Sequence, residues 1–496
     1  MQDMSPSLTR DEPATELNTG WTRPVVGYVA ILILVNVMVD TVLASPTFVL
    51  PELSDAFDTN QFAWIDSSAM LAGATWAPLL GKSADIYGKR KVLVITLMVA
   101  GLGGVVCLLA PHISVFVLGR ALQGAAIAGL FLSVAIIRDI CAPKFAMVVT
   151  GIVTSGSAVF GIVSPFILDF ATEAFGWKFV FVVSAVFAGV AALCVHLVIP
   201  NSRNRTPGKV DVAGALTLGG GLAAVLAYIS LGQEFGWLGI APLAILIGGL
   251  AALTVWYLVL SRIPEPVIDI RGISAVLGLG LLVVVMGTGA YRSMLQLFSL
   301  LIDVSPDEGL GYGINGPGAL GLMFGIPSIG IMLGGIVAGA IATRVGPARP
   351  LAVGVALGTI ASFVMFSSGA DNLPIAVICS FMLSMTAGSL VTSGFNLASV
   401  LAPPERQGTV SSMVMVMVAV GSVTMSFIGS AILAANEIVV DGETVSSSTG
   451  VHTYIAVAGC TFVLAAIPMA FLVRKLRGHA DVPAEPHPGA GAGAGA

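Results

Sequence analysis

Long apolar stretches, separated by short polar segments, follow one another along almost the whole chain. Most run for about twenty residues, the length that an α-helix needs to cross the hydrocarbon core of a bilayer. They predict fourteen membrane spans, at 25–50, 61–81, 91–110, 113–137, 145–170, 178–199, 211–232, 238–261, 274–302, 318–342, 350–369, 372–399, 408–435 and 451–473. The pattern indicates an all-α integral membrane protein.

Composition supports this class and excludes others. Hydrophobic residues make up 56% of the 496 residues and charged residues only 10%. A net charge of −5 leaves no basic face to release counterions from phosphate, so we expect no nucleic-acid partner. The five cysteines show neither metal-ligand spacing nor a pairing pattern. We expect a chain with no cofactor, no metal and no enzymatic constellation.

The positive charges predict the orientation in the membrane. Lys and Arg close to a span are retained in the cytoplasm during insertion. With the N-terminus inside, 19 of the 22 Lys and Arg residues fall in cytoplasmic segments, four of them in the loop 81–91. Only Lys178 falls outside, while Arg120 and Arg292 lie within spans. We therefore predict a multi-pass protein of the plasma membrane with both termini in the cytoplasm.

An internal repeat divides the chain. Gly81-x-x-x-Asp85-x-x-Gly88 recurs 258 residues later as Gly339-x-x-x-Thr343-x-x-Gly346, and the segment 151–155 resembles 408–412 at an offset of 257. The repeat predicts two pseudo-symmetric six-helix bundles, which commonly enclose a site at the bilayer midplane. The predicted parts are a cytoplasmic tail (1–24), the first bundle (25–200), two inserted helices (201–270), the second bundle (271–475) and a disordered tail (476–496).

One loop of the second bundle carries a strand signal. Asp441 and Gly442 stand between two runs of β-branched residues, which is the strongest short-range signal for a hairpin. We expect a small extracellular β-hairpin at about 437–446.

Charged residues inside spans are the candidates for chemistry. Such residues cost roughly 2.5 to 3.5 kcal/mol near a helix centre and normally face a cavity or a partner. Asp40 lies well inside the first span, with Asn36 one turn earlier on the same face. We predict that Asp40 binds the transported proton. The alternative is a permanently ionised structural partner of Arg120.

Further polar residues inside the spans are candidates for proton entry and substrate contact. Asp66, about two turns into the second span, is either a point of proton entry or part of a solvated rim. Arg292 either faces the binding cavity or extends to the outer surface. The predicted substrate-binding residues are Asn36, Gln123, Arg292, Gln296 and Asn396.

Several motifs resemble one family. The stretch from Gly81 to Lys91 resembles the loop signature of the major facilitator superfamily, except that Ile86 stands where a basic residue is usual. Arg120-Ala-Leu-Gln123-Gly124 is similar to the fourth-span signature of that family, and fourteen spans resemble its drug:proton antiporter branch. The resemblance implies that Arg120 tunes proton exchange, whereas the residues alone also allow a structural arginine bonded to carbonyls. It implies gating roles for Gly81, Asp85, Gly88, Arg90, Gly161 and Pro165.

These features together predict a secondary transporter. We expect a monomer in the lipid bilayer that exports hydrophobic or amphipathic small molecules in exchange for protons, by alternating access of the two bundles. The alternative is a dedicated proton-coupled exporter or importer of one endogenous metabolite or lipid.

Overall fold

The computed structural model describes residues 17–44, 46, 49–57, 62–202, 205–260, 274–305, 310–314, 317–440 and 443–480. Within them the chain forms α-helices and one antiparallel pair of strands. The helices before the inserted segment are α1 (Arg23–Ala44), α2 (Leu50–Phe57), α3 (Phe62–Tyr87), α4 (Lys89–Leu108), α5 (Ile113–Gln123), α6 (Ala128–Ile140), α7 (Pro143–Gly156), α8 (Ala158–Phe175) and α9 (Phe179–Val198). The remaining elements are α10 (Val212–Phe235), α11 (Ile240–Leu260), α12 (Ala275–Asp303), α13 (Pro317–Leu320), α14 (Ile326–Val345), α15 (Ala348–Val364), α16 (Leu373–Leu401), α17 (Gln407–Ala434), β1 (Glu437–Val440), β2 (Glu443–Ser446) and α18 (Ser448–Ala480).

The all-helical membrane fold is confirmed. In the part of the chain that the structure describes, 12 helical segments are long and apolar enough to cross a membrane, and Val212–Val225 is a shorter apolar helix. The predicted number of fourteen spans is not confirmed. Helices α3 and α10, of 26 and 24 residues, stand at the second and seventh predicted positions.

Breaks between helices follow local chemistry. Helix α1 ends at Ala44, two residues before Pro46, which has no N–H to continue the hydrogen-bond ladder. Helices α3 and α4 meet at Gly88, whose φ of 100° is a conformation that favours glycine. A 3₁₀ segment (Gly124–Ile127) separates α5 from α6, and α7 and α8 are separated at Ser157.

The strand pair lies at the predicted place. β1 and β2 are antiparallel, with Glu437 opposite Ser446 and Val440 opposite Glu443. The turn residues Asp441 and Gly442 lie outside the described residues.

The predicted C-terminal tail differs in part from expectation, and part of the N-terminal tail is bound to the rest of the protein. Helix α18 continues to Ala480, so residues 476–480 are helical rather than disordered. Between Pro468 and Pro483 the sequence contains no proline that would end the helix. Before α1, the backbone N–H of Asn18 donates to the carbonyl of Ile140, 3.1 Å away, and its carbonyl accepts from Ala142 at 2.8 Å. This part of the predicted N-terminal tail is therefore anchored to the α6–α7 turn.

The helices form two bundles that meet along two seams. Helices α1 to α9 pack together, as do α12 to α18, while α10 packs on α11 and α3. Between the bundles, α3 packs against α17, which we call the first seam, and α7 packs against α14 and α16, which we call the second seam. We call the end that holds residues 81–91 the inner end, because its charges predict a cytoplasmic position.

Candidate transport and gating site

The predicted proton carrier lies on the face of α1 that meets α7. Asn36 is buried and its side-chain N–H donates to the carbonyl of Val153 at 2.9 Å. One turn further on, Asp40 interacts with the hydroxyl of Ser157, at the break between α7 and α8. The Asp40 side chain is exposed although its neighbours Val39 and Thr41 are buried. This carboxylate therefore has open space beside it, and it lies one turn before α1 ends at Ala44.

The side chain of Arg120 binds carbonyl groups at the C-terminal end of α1. Its side chain is fully buried, and its Nη1 donates to the carbonyl of Val42 at 2.8 Å and to Gln123 Oε1 at 2.8 Å. Its Nη2 donates to the carbonyl of Leu43 at 3.2 Å. In a continuous helix, the Val42 carbonyl would accept from residue 46, but that residue is proline. The guanidinium therefore replaces a missing backbone donor and places a cation at the negative end of α1.

The first seam is closed at the inner end by a carboxylate on a helix N-terminus. Asp85 is buried; its Oδ1 accepts from the Gly408 N–H at 2.8 Å, and its Oδ2 accepts from the Thr409 N–H at 2.8 Å and the Thr409 hydroxyl at 2.7 Å. Amides in the first turn of α17 have no partner within their own helix, and the helix dipole favours an anion there. One turn earlier, a Cβ at Gly81 would lie 2.6 Å from Ser412 Oγ, so glycine permits the close approach.

The second seam is closed by small residues and neutral hydrogen bonds. A Cβ at Gly151 would lie 2.6 Å from the carbonyl oxygen of Gly335, and one at Gly339 would lie 3.1 Å from the Cα of Gly151. One turn outward, the hydroxyls of Thr154 and Thr392 are 2.9 Å apart. Because Ser157 comes three residues after Thr154, just beyond the end of α7, the Asp40 side chain lies outward of this closed contact.

A further contact joins α6 and α7 of the first bundle to α16 of the second. Arg138 Nη2 donates to Asn396 Oδ1 at 3.0 Å, and Asn396 Nδ2 donates to the carbonyl of Met147 at 3.4 Å. Asn396 is fully buried and stands 258 residues after Arg138, the offset of the repeat. These two equivalent residues therefore meet where the two halves of the repeat face each other.

A buried ion pair supports the loop of the first seam. Lys89 Nζ lies 2.5 Å from Asp139 Oδ1, and both side chains are buried. Sequence reasoning did not find Asp139 or Thr409 as partners of the loop. The only available signal was the position of Arg138-Asp139 at the end of an apolar run, which does not identify a partner.

The other predicted residues lie apart from Asp40 along the chain and on different helices. Arg292 is exposed on α12, and Gln296 Nε2, one turn along, lies 3.4 Å from Ser430 Oγ of α17. Arg90 donates to Asn201 Oδ1 at 3.0 Å and to the His196 carbonyl. Their predicted roles are not tested by these positions.

Three predicted residues lie on α3 and α8. Asp66 and Pro165 belong to these two helices, but their side chains lie outside the described residues. A Cβ at Gly161 would lie 2.5 Å from Ser328 Oγ of α14, so the second seam continues outward along α8.

Two repeat-related helix bundles that meet along two seams are the architecture of a secondary membrane transporter. The family model for the Major Facilitator Superfamily matches residues 29–426 and 277–494. The chain belongs to the major facilitator superfamily, a family of secondary transporters rather than enzymes. Its members bind small-molecule substrates and are often coupled to protons.

Relatives carry names of two kinds. A Mycobacterium tuberculosis protein named multidrug resistance protein B homolog is 29% identical over 346 residues, which cover 64% of this chain and 61% of that protein. A triacylglyceride transporter of Mycolicibacterium hassiacum is 29% identical over 343 residues, which cover 66% of this chain and 61% of that protein. The matches thus span less than two thirds of either relative.

Solved structures agree on the fold. The human organic anion transporter MFSD10 superposes with a TM-score of 0.60 at 15% identity, covering 90% of this chain and 99% of that one. At this identity the likeness concerns the fold alone.

Proposed function

We propose that the protein is a proton-coupled transporter that exports hydrophobic or amphipathic small molecules. The observation that carries the proposal is the exposed carboxylate of Asp40 on α1, one turn before that helix ends, against Ser157 and outward of the closed inner seams. An ionised carboxylate within a membrane span is costly unless it is neutralised or hydrated. Binding a proton neutralises Asp40, and the proton would come from the side toward which the site opens. The multidrug name of the Mycobacterium tuberculosis relative supports the substrate class.

The proposed architecture has fourteen spans, with α3 and α10 as the two beyond the 12 apolar segments already described. An even number of spans keeps both termini in the cytoplasm, in agreement with the distribution of Lys and Arg. The proposed setting is the plasma membrane, with one chain forming the transporter. Rocking of the two bundles would open the seams at the inner end and expose Asp40 to the other side.

The test is transport by an Asp40→Asn variant in everted membrane vesicles. We expect normal insertion and surface expression but no uptake driven by a pH gradient. Asp371→Asn is the matched control, because Asp371 is exposed in the turn before α16 and not within a span. Proton release from purified protein on addition of lipophilic compounds should be present in the control and lost in Asp40→Asn. Unchanged proton-coupled transport by Asp40→Asn would refute the role of this residue.

A second candidate is a dedicated exporter or importer of one endogenous metabolite or lipid. The name of the Mycolicibacterium hassiacum relative, a triacylglyceride transporter, favours a lipid as that substrate. Counterflow in vesicles distinguishes the two proposals. A panel of unrelated drugs should exchange with one another in a multidrug exporter, whereas only the lipid should exchange in a dedicated transporter.

A further inference from the structure

Between α9 and α10, the described residues 201–202 and 205–206 lie against the turn that joins α3 to α4. At this turn the helical ladder is broken, so the carbonyl of Asp85 and the N–H of Lys89 cannot bond to each other as they would in one helix. The segment supplies both partners. The Thr206 N–H donates to the Asp85 carbonyl at 2.8 Å, and the Lys89 N–H donates to Ser202 Oγ at 2.7 Å.

The same segment also contacts the loop through side chains. Asn201 Oδ1 accepts from Arg90, and a Cβ at Gly88 would lie 3.3 Å from Arg205 Nε. Residues 201–202 and 205–206 therefore contact the α3–α4 turn at several points. Residues 203–204 lie outside the described residues.

Thr206 extends this contact to the other bundle. Its hydroxyl donates to the carbonyl of Glu405 at 3.0 Å, in the 3₁₀ turn that leads into α17. Its backbone N–H donates to the carbonyl of Asp85, and the carboxylate of Asp85 accepts from the first amides of α17. One residue of the inserted segment thus bonds to both sides of the first seam at the inner end.

Helix α10 covers the same seam nearer the middle of the membrane. A Cβ at Gly219 would lie 2.1 Å from Thr75 Oγ1 of α3, so the two helices are in close contact. Ala223 packs on a cluster formed by Leu71 of α3 with Val423 and Phe427 of α17. The inserted segment therefore follows the first seam from its inner end outward.

We propose that the described residues 201–202 and 205–206 form a strap that stabilises the inner-closed state, with Thr206 as its positioning residue. The bond from the Thr206 hydroxyl to Glu405 breaks when α3 and α17 separate, whereas the bond from its N–H to Asp85 moves with the first bundle. The strap adds to the carboxylate of Asp85 a second, neutral contact across the seam. The strap acts on the equilibrium between inner-closed and inner-open states, so its effect does not depend on which substrate is transported.

The experiment measures that equilibrium by electron-spin distance measurements between labels at Lys91→Cys and Arg349→Cys. Both positions are exposed at the inner end, one in each bundle, and Cys194 and Cys460 are replaced by serine in the background. A neutral hydrogen bond is worth enough to expect that Thr206→Val raises the ratio of inner-open to inner-closed protein about two- to ten-fold. Thr206→Ser should restore the ratio, because it restores the hydroxyl.

Thr217→Val is the matched control, because the Thr217 hydroxyl donates only to carbonyls of its own helix, those of Ala213 and Gly214. It should leave the distances unchanged. A second measurement is disulfide formation between Thr206→Cys and Glu405→Cys, which should be rapid in the resting protein and should trap the short distance.

Two results would overturn the strap. One is an identical distance distribution for Thr206→Val, Thr206→Ser and the parent protein. The other is failure of the folded double-cysteine protein to form the disulfide. Neither measurement uses a substrate or a proton gradient, so the strap and the proposed export function can fail independently.

Discussion

The two seams are equivalent by the repeat but are held in different ways. In the first, Gly81 and Asp85 of α3 meet Gly408 and Thr409 of α17. In the second, Gly339 of α14 meets Gly151 of α7, and these glycines are the repeat equivalents of Gly81 and Gly408. The first motif of each half therefore packs against the second motif of the other half. Among the residues that the structure describes, a carboxylate bridges the first seam, whereas the contacts across the second are between uncharged groups.

The starting points of the two helices explain this difference. Helix α17 begins at Gln407, so the amides at 408 and 409 are free to bind an anion. Helix α7 begins at Pro143, two turns before Gly151, so the amides around Gly151 are already used within the helix. An acid at the equivalent of Asp85 would find no donor there. The residue at that position is Thr343, whose hydroxyl donates to the Ala340 carbonyl of its own helix at 2.7 Å.

The support behind the seams differs as well. Lys89 and Asp139 form a buried ion pair beneath the first seam. The residues 258 positions later are Pro347 and Leu397, which carry no charge. The first seam is thus a charged assembly that depends on complete pairing, and the second is an apolar contact with a few neutral hydrogen bonds.

The largest expected effect comes from breaking the ion pair. Lys89→Met should lower the free energy of unfolding by about 3 to 5 kcal/mol, because it leaves the buried Asp139 without its cation. The measurement is the unfolding temperature of the purified protein in detergent. Lys89→Met combined with Asp139→Leu, which copies the leucine of the second half, should recover most of the loss. If Lys89→Met alone were as stable as the parent protein, the first seam would not depend on this ion pair.

A smaller effect is expected when only the charge on the first seam is removed. Asp85→Asn removes the charge that strengthens hydrogen bonds to two amides and a hydroxyl. A hydrogen bond to a charged group contributes roughly 1.5 to 3 kcal/mol. It should shift the population toward inner-open protein by at least about ten-fold, measured with the labels at positions 91 and 349. Thr343→Val, at the equivalent position, should not shift it. Equal shifts in both variants would mean that the seams are held in the same way.

Much of this comparison follows from the sequence, and the reasons are physical. Apolar runs of bilayer length and the bias of Lys and Arg predicted the membrane fold, because both depend only on local composition. The repeat predicted which residues are equivalent. It also singled out Gly81 and Asp85, which both contact α17 on the first seam, while their gating role stays a prediction.

The pairing of these residues could not be predicted, because it depends on contacts between distant parts of the chain. Asp85 and Gly408 are separated by 323 residues, and no periodic pattern connects them. Arg120 illustrates the same limit: the sequence allowed either a role in proton exchange or a bond to carbonyls, and only the packing of α5 on the end of α1 shows the carbonyl partners. Asn396, predicted to bind substrate, lies between the bundles against Arg138, and its role in binding stays a prediction.

The smallest effect is expected when the hydrogen bond across the second seam is removed. The Thr154 hydroxyl donates to the Thr150 carbonyl at 2.8 Å, so across the seam Thr392 is the donor and Thr154 the acceptor. Thr154→Val should leave the buried Thr392 hydroxyl without its acceptor and raise the inner-open population by about two- to ten-fold. Thr392→Val should do less, because Thr154 keeps its own backbone bond, and the double variant should lie close to the parent protein. The same label distances measure all three, and a shift in Thr154→Val as large as that in Asp85→Asn would show that neutral bonds hold the second seam as firmly as charge holds the first.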